Sequence, residues 1–515
     1  MRKRSKFSLS NYKLASMKFG YVVPVNLTEV LPGDSIQQST SVFTRLAPMN
    51  APIMHPVHMT TYHFYVPTRI IWDDFEDFIT GGPDGTDLSA PPTISISPTA
   101  GSLADYLGLP LVTSPISISA LPFRAYNLIW NEYFRDQDLM EEVPISLDSG
   151  ADTITSTTLL KPCWTKDYFT TARPWPQKGP NVTLPIGQSA PVVSSGKPIG
   201  VIGYSNSTGL PLNPDADARY LTIQYYLDGA PNDWIAVGPN YSVSSEFPNE
   251  TSSIGLPPPG SKAAYSDSGM VADLSGVTGV DINALRQAFA LQRFQEKRAL
   301  FGSRYEDYLR YIGVRPQDAR LQLPEYLGGG SQTIQFSEVL QTGGENVGAL
   351  YGHGISAMRT NRYRRFIPEH GFIMTLLVVR PIPVYTQGIE RLWNRTTKDD
   401  YWQLEFEHIG QQEVLNQEVY ADGTEADKQT FGYQNRYDEY RRGVNTVSGE
   451  FRTTLDFWHM ARVFANRPAL NADFVESNPT DRIFQLNEQN SDQLYCMVQN
   501  NIIAKRLISK NGNPI

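Results

Sequence analysis

The sequence predicts a mainly β protein: an antiparallel sandwich whose connections have grown into long helical and loop insertions. Three observations carry this. Runs with strand chemistry lie towards both ends of the 515-residue chain, with helices and one long polar–aromatic stretch between them. No β–α–β alternation occurs, so a parallel sheet with crossover helices is not expected. Gly (39) and Pro (37) are slightly in excess of the roughly 12% they make up on average, which calls for many turns. With 40% hydrophobic and 11% aromatic residues the chain can bury a large core. Charged residues are only 19%, below the roughly 25% of an average domain, so general disorder is excluded.

The elements follow in order. Residues 1–18 are a basic N-terminal arm carrying Arg2, Lys3, Arg4, Lys6, Lys13 and Lys18 and no acid. Strand chemistry begins at Phe19–Val23 and Val25–Val30 and is closed by the turn Pro32-Gly33-Asp34. Val57–Val66 alternates as a further strand, stopped by Pro67. Arg69–Thr80 changes to helical spacing, with Ile71, Trp72, Phe75, Phe78 and Ile79 on one face and Gly81-Gly82 at its end. Ser102–Leu107 is a short helix with Ser102 as N-cap, Asp105 at the capping-box position and Gly108 beyond it. Phe123–Gln137 is a stronger helix that turns Tyr126, Ile129, Trp130, Tyr133 and Phe134 inward.

The texture changes over residues 176–270. These 95 residues hold only 11 charges and are dense in Ser, Gly, Pro, Asn and Tyr. Alternating runs such as Tyr220–Tyr226 make the stretch an all-β excursion or structured loops, an insertion rather than a linker. A helix starts at Asp281, with Ile282, Leu285 and Phe289 on its apolar face and Arg286, Arg293, Lys297 and Arg298 elsewhere. Gly302 breaks it, and the box Ser303–Glu306 restarts it towards Ile312. Phe372–Val379 is a continuous apolar run followed by Pro381 and Pro383, the mark of a strand buried on both faces. Gly449–Leu455 and Leu494–Ile503 are further strands among aromatic-rich loops.

Catalytic and metal chemistry finds no foothold. His55, His58 and His63 form the one histidine cluster, but His58 has the opposite strand parity to the other two. Packing is their reading. Gly255–Lys262 resembles a phosphate loop with Ser and Lys in the wrong order and three prolines where donors are needed. Asp215-Ala216-Asp217-Ala218-Arg219 opens like a calcium loop and then places a cation at the third ligand position. Cys163 and Cys496 are too few for a disulfide framework or a zinc site and suit a reducing compartment. No nucleophile or zinc-protease motif occurs, and no acid pair can be picked by spacing. No cofactor is expected. The longest apolar run is too short to cross a bilayer, and no apolar segment follows the N-terminus, so neither membrane insertion nor secretion is expected.

Long, idiosyncratic strings carry the strongest signal: HFYVPTRIIWDDFEDFITGG from His63, FRAYNLIWNEYFRDQ from Phe123, SRYEDYLRYIGVRPQDARLQLPEYLGG from Ser303, VRPIPVYTQGIERLW from Val379 and FGYQNRYDEYR from Phe431. Together, in this order, they resemble the major capsid protein of microviruses, the small icosahedral single-stranded DNA phages, and most closely the gokushovirus-like branch. The resemblance covers most of the chain and fades over 176–270, where that branch carries a variable insertion. It implies an eight-stranded antiparallel jelly roll over 19–515, no enzymatic activity, and a T=1 virion shell of sixty subunits around circular single-stranded DNA. It also implies a small basic DNA-condensing protein and a DNA pilot protein as partners, a host surface receptor, and synthesis in the host cytoplasm. Insertions at 176–270 resemble protrusions at three-fold axes.

The charge distribution fits a polyanion at one end. The chain has a net charge of −9, and the six arm cations leave a body of −15. Phe7, Tyr12 and Phe19 interleave the arm charges, which favours stacking on single-stranded bases or docking on protein. The arm is therefore expected to face the particle interior and meet DNA or a neighbouring subunit. Two rival readings are a free-standing single-stranded DNA-binding protein, opposed by the acidic body, and a carbohydrate-active β sandwich, which lacks an acid/base pair.

Overall fold

The computed structural model describes residues 4–83, 86–180, 182, 192–194, 270–272, 282–302, 307, 310, 322–340, 350–485 and 491–510. The chain divides into two units, Met1–Pro180 with Gln292–Ile515, and Asn181–Leu291. In the second, Val192–Ser194 pairs antiparallel with Met270–Ala272. The expected strand at Tyr220–Tyr226, the loops at Asp215 and Gly255, and the capping box at Ser303 lie outside the described residues.

In the first unit, eleven strand segments build two antiparallel sheets: β1 (Ser5–Ser8), β2 (Asn11–Met17), β3 (Val22–Val30), β4 (Ser35–Leu46), β5 (Val57–Pro67), β6 (Glu325–Thr333), β7 (Gln335–Leu340), β8 (Leu350–Arg359), β9 (Tyr363–Phe366), β10 (Gly371–Pro381) and β11 (Leu494–Arg506). The smaller sheet runs β6-β5-β10-β3. In the larger, β11 pairs with β4 on one side and with both β1 and β2 on the other, while β8 and β9 share the far side of β4 and β7 closes the edge. The protein is a mainly β antiparallel sandwich, as jelly-roll capsid proteins are, its two sheets holding seven and four strand segments among the described residues.

Burial explains the arrangement. The run at Phe372 forms β10, flanked by β3 and β5 and buried on both faces. Towards the larger sheet, Leu377 and Val379 pack with Val23, Val25, Val42, Met59, Val498 and Cys496. On the other side, Met374, Leu376 and Val378 meet Phe64, Val66 and the helix α3 (Leu121–Tyr133, after the short helices α1, Phe75–Thr80, and α2, Leu103–Leu107). Helix α3 presents Phe123, Tyr126, Ile129 and Trp130 to that layer. Arg124 pins it from within: fully buried, it bonds Asp152 at 2.8 Å and the carbonyls of Ile71 and Asp148, so its charge is satisfied. Helix α2 is capped as its sequence predicts, with Ser102 Oγ accepting from Asp105 N and Gly108 left-handed at φ 100°. A third cluster gathers Phe169, Tyr385, Val414, Phe431 and Phe474. Both cysteines are buried free thiols, their pKa pushed up to about 11 by burial.

A polar layer crosses the sandwich interior. Gln38 donates to Thr375 (3.0 Å), which also meets His63 Nδ1 (3.0 Å), while Thr40 donates to Asn500 (2.9 Å) and Tyr363 to Gln38 (2.8 Å). His55 is separately fixed at 2.8 Å to the carbonyl of Ile382. His55 and His63 are thus buried packing residues, while His58, of opposite parity to His63, stands half-exposed on the other side of β5.

Three sequence expectations need correction. The helix expected over Arg69–Thr80 is a 3₁₀ turn, Thr68–Ile70, and a separate α1. Between them Trp72 is drawn inward, its Nε1 donating to Ser149 Oγ at 2.8 Å, while Asp73 N is taken by the Leu147 carbonyl. Phe78 and Ile79 are consequently exposed. The expected strand at Phe19 begins only at Val22, because Gly20 turns at φ 76°, where a Cβ would lie 2.5 Å from Pro479 Cδ. The strand expected at Gly449–Leu455 is instead a 3₁₀ turn, Gly449–Arg452, starting from Gly449 at φ 71°. Among the described residues no helix is long and apolar enough to cross a membrane.

Two outcomes follow. Leu376→Ala, removing side-chain volume between the smaller sheet and α3, should cost about 2–5 kcal/mol in chemical denaturation of the subunit. Burial pulls His55 and His63 down to about 4 from 6.5, so between those values the unfolded chain binds more protons than the folded one. Subunit stability should therefore be full above pH 6.5 and fall as pH drops towards 4; a denaturation midpoint flat across that window would contradict the neutral buried rings.

Candidate nucleic-acid interface

The smaller sheet is covered on both sides, but the larger sheet is covered on one. Strand β11 records this residue by residue, its burial alternating between the sandwich and solvent from Leu494 onward. Pairing registers align the open positions across the sheet. Lys6 stands opposite Lys505, Arg364 opposite Gln37, Arg359 opposite Ser41, Arg45 opposite Tyr495, and Leu14 opposite Met497. Arg4 joins the same face, its guanidinium 5.1 Å over the Phe366 ring and Nη1 donating to Ser35 Oγ.

The open face thus collects six cations: Arg4, Lys6, Arg45, Arg359, Arg364 and Lys505. No Asp or Glu occupies an outward position on β1, β2, β4, β8, β9 or β11. None of the six forms an ion pair among the described residues. Between them lie Tyr12, Leu14, Phe43, Phe366, Tyr495 and Met497, with Tyr12 74% and Leu14 71% exposed. The remaining outward positions on β4 and β11 are mostly Ser, Gln and Asn. Free cations hold phosphates, exposed rings stack on bases, and short amides and hydroxyls add hydrogen bonds without sequence preference.

The structure sorts the arm residues. Arg4 and Lys6 lie on this face. Lys13 has the opposite parity and departs from the expected set: its ammonium donates to the carbonyls of Pro24 (3.1 Å) and Tyr106, and burial lowers its pKa to about 8. Lys18 follows β2 and lines, with Lys13 and Tyr106, a cleft of about 860 Å³. Arg2 and Lys3 lie outside the described residues. From Ser5 to Met17 the arm is woven into the larger sheet as β1 and β2. Arg45, Arg359, Arg364 and Lys505 escaped sequence reasoning because they lie on four strands that only the pairing brings together; the available signal was the absence of acids from the odd positions of Ser35–Arg45 and Tyr495–Lys505.

A sheet face of this kind on a sandwich invites comparison with known proteins. All of residues 1–515 match the family described as Capsid protein (F protein). The chain belongs to this capsid protein family. It is 35% identical over 503 residues to Capsid protein VP1 of Bdellovibrio phage phiMH2K, spanning 93% of this chain and 89% of that protein. It is 32% identical to Capsid protein VP1 of Chlamydia phage 1, across 95% and 91% of the two chains, and 32% identical to Capsid protein VP1 of Spiroplasma virus 4, across 99% and 95%. The resemblance drawn from the sequence strings is therefore correct. As a capsid protein of the microvirus phages the chain is structural rather than enzymatic, and its partner of first rank is itself, in a shell.

Replacing Arg359 and Arg364 by Gln should weaken oligo-dT binding by the subunit. It should also reduce the salt slope, d log K/d log [salt], by about 1.4, two single-strand phosphates' worth. An unchanged slope in a fluorescence titration would remove the face from consideration.

Proposed function

We propose that this capsid protein closes into a T=1 icosahedral shell of sixty copies around circular single-stranded DNA, with the open face of the larger sheet turned inward on the genome. The single observation that carries the reading is the segregation of charge: among the described residues, an acidic chain sets six cations without an ion pair, and no carboxylate, on one exposed sheet face. An inner surface must tolerate a polyanion, and that face is suited to it. Arg4 and Lys6 of the arm take part; Lys13 braces the sandwich edge instead. A free-standing DNA-binding protein would carry the same face but gain nothing from membership of a capsid family.

Further partners follow from charge and composition. A few cations per copy cannot neutralise a genome with one phosphate per nucleotide, so another cation must enter the shell. The family resemblance favours a small basic DNA-condensing protein, with a DNA pilot protein as the other internal component. The stretch 176–270 has the Tyr, Ser, Asn and Gly content of a recognition surface. In this reading it projects outward near a three-fold axis and meets the host receptor.

Light scattering on the purified chain tests the shell: the expected species is a closed particle of several megadaltons, and a protein that stays monomeric with DNA present would refute it. Because residues 2–13 include β1 and the start of β2, truncating the arm would unpair β11; the point substitutions above are the cleaner probe of DNA retention. Replacing Leu221–Trp234 by a Gly/Ser loop should leave particles assembled and unable to adsorb to cells. Collapse of assembly, with surviving particles still adsorbing, would make the insertion a brace.

A further inference from the structure

Away from the open sheet face, large apolar side chains crowd one surface. The 3₁₀ turn Arg391–Asn394 and the turns after it leave Leu392, Trp393, Tyr401, Trp402, Leu404 and Ile409 exposed, with Trp393 at 75%. The surface is not loose. Thr397 and Asp400 form a reciprocal capping box, and Tyr437 Oη donates to the carbonyls of Asp399 and Tyr401. Arg395 lies 5.2 Å over the ring of Tyr401 and 4.5 Å over that of Tyr440, and Arg441 reaches Glu407 at 3.2 Å.

Beside the exposed tryptophan is a hole. A cavity of about 300 Å³ is lined by Tyr385, Ile389, Leu392, Tyr440, Gly443 and Val444. Its polar wall is charged: Arg391 bonds the buried Glu418 at 3.0 Å and lies 3.6 Å from Glu439, and Arg395 and Arg442 stand beside them. Tyr385, Ile389, Leu392 and Val444 give it one apolar wall, and its volume, at the bottom of the range for small-molecule pockets, suits a single large side chain.

We propose that this surface is a contact between two copies of the chain, in which Trp393 of each copy enters the Ile389–Val444 cavity of the other. The inference rests on the shell reading above. A projecting aromatic and a receiving cavity share one short turn, with Leu392 in the cavity wall and Trp393 outside it. A patch carrying both halves is complementary to itself, as an isologous two-fold contact requires. The exposed charges beside it are of both signs, with Lys398 against Asp399 and Glu405, so a copy turned about a two-fold axis can set cation opposite acid. The area also suffices. Aromatic side chains hide roughly 150–250 Å² each when covered. Trp393, Tyr401, Trp402 and Tyr440 are each more than half exposed; with the three aliphatic neighbours they approach the ~800 Å² per partner of a stable interface. A monomer rarely leaves such a patch uncovered.

Two substitutions test this on the full chain. Trp393→Ala removes the knob. Gly443→Leu fills the hole, at a position where an added Cβ meets nothing within 4 Å. Each should raise the concentration needed for half-maximal particle formation, read by light scattering, at least about tenfold, with the subunit melting temperature unchanged. The double variant should be little worse than either single one, because both remove one contact. Particle formation at the parent concentration in both single variants would overturn the proposal, as would assembly lost in step with subunit melting temperature in both. If the parent chain itself forms no particle, the shell reading falls and takes this contact with it.

Discussion

The structure depends on β10 having no wet side. With β3 and β5 on its edges and apolar side chains on both faces, it needs two separate layers to cover it. The larger sheet supplies one, through Val42 and Val498, and the helices α2 and α3 supply the other, through Leu103, Tyr126 and Ile129. From this the rest of the architecture follows. The larger sheet gives one face to the core and has no helical layer for the second, so that second face is left to meet something outside the fold. The open cationic face is the uncovered remainder of the packing problem.

Within the sandwich, polar groups decide register where apolar ones decide only burial. Gln38, Thr40 and Asn500 from the larger sheet meet Thr375 and His63 from the smaller in one layer. A slip of one residue in β4 would turn Gln38 and Thr40 outward and bring the Ser39 position into a layer it cannot satisfy in the same way. The same slip would carry Arg45 into the apolar interior beside Met49 and Leu494. The polar layer and the cation face therefore select the same register from opposite sides of the sheet, with burial of unpaired groups as the penalty for any other.

What was legible in the sequence was local. The β10 run shows its two-sided burial directly, and Ser102, Asp105 and Gly108 announce both ends of α2. The Arg69–Thr80 periodicity misled because a tertiary bond, Trp72 to Ser149, outweighs the helical preference of four residues. At the site, Arg4 and Lys6 were visible as part of a basic run, whereas Arg359 and Arg364 reach the same face only through pairing with β4, more than 300 residues away in sequence. Lys13 was grouped with Arg4 and Lys6 for a related reason: a charge run read as a tail has no parity, but in a strand neighbouring charges point to opposite faces. Spacing alone does not reveal that the arm is a strand, since its partner is the far terminus of the chain.

Charge segregation also separates the two kinds of contact such a chain must make. Two open sheet faces laid together would oppose six cations to six with no carboxylate of the described residues between them, so that face repels its own copies and stays available for an anion. The surface around Trp393 has the reverse character: apolar, with charges of both signs, Lys398 beside Asp399 and Glu405, so that a second copy can set cation against acid. Neither discrimination needs a folded-state switch. Each is fixed by which residues the strand register and the 3₁₀ turns bring to the surface, and specificity arises as much from the pairing each surface forbids as from the one it permits.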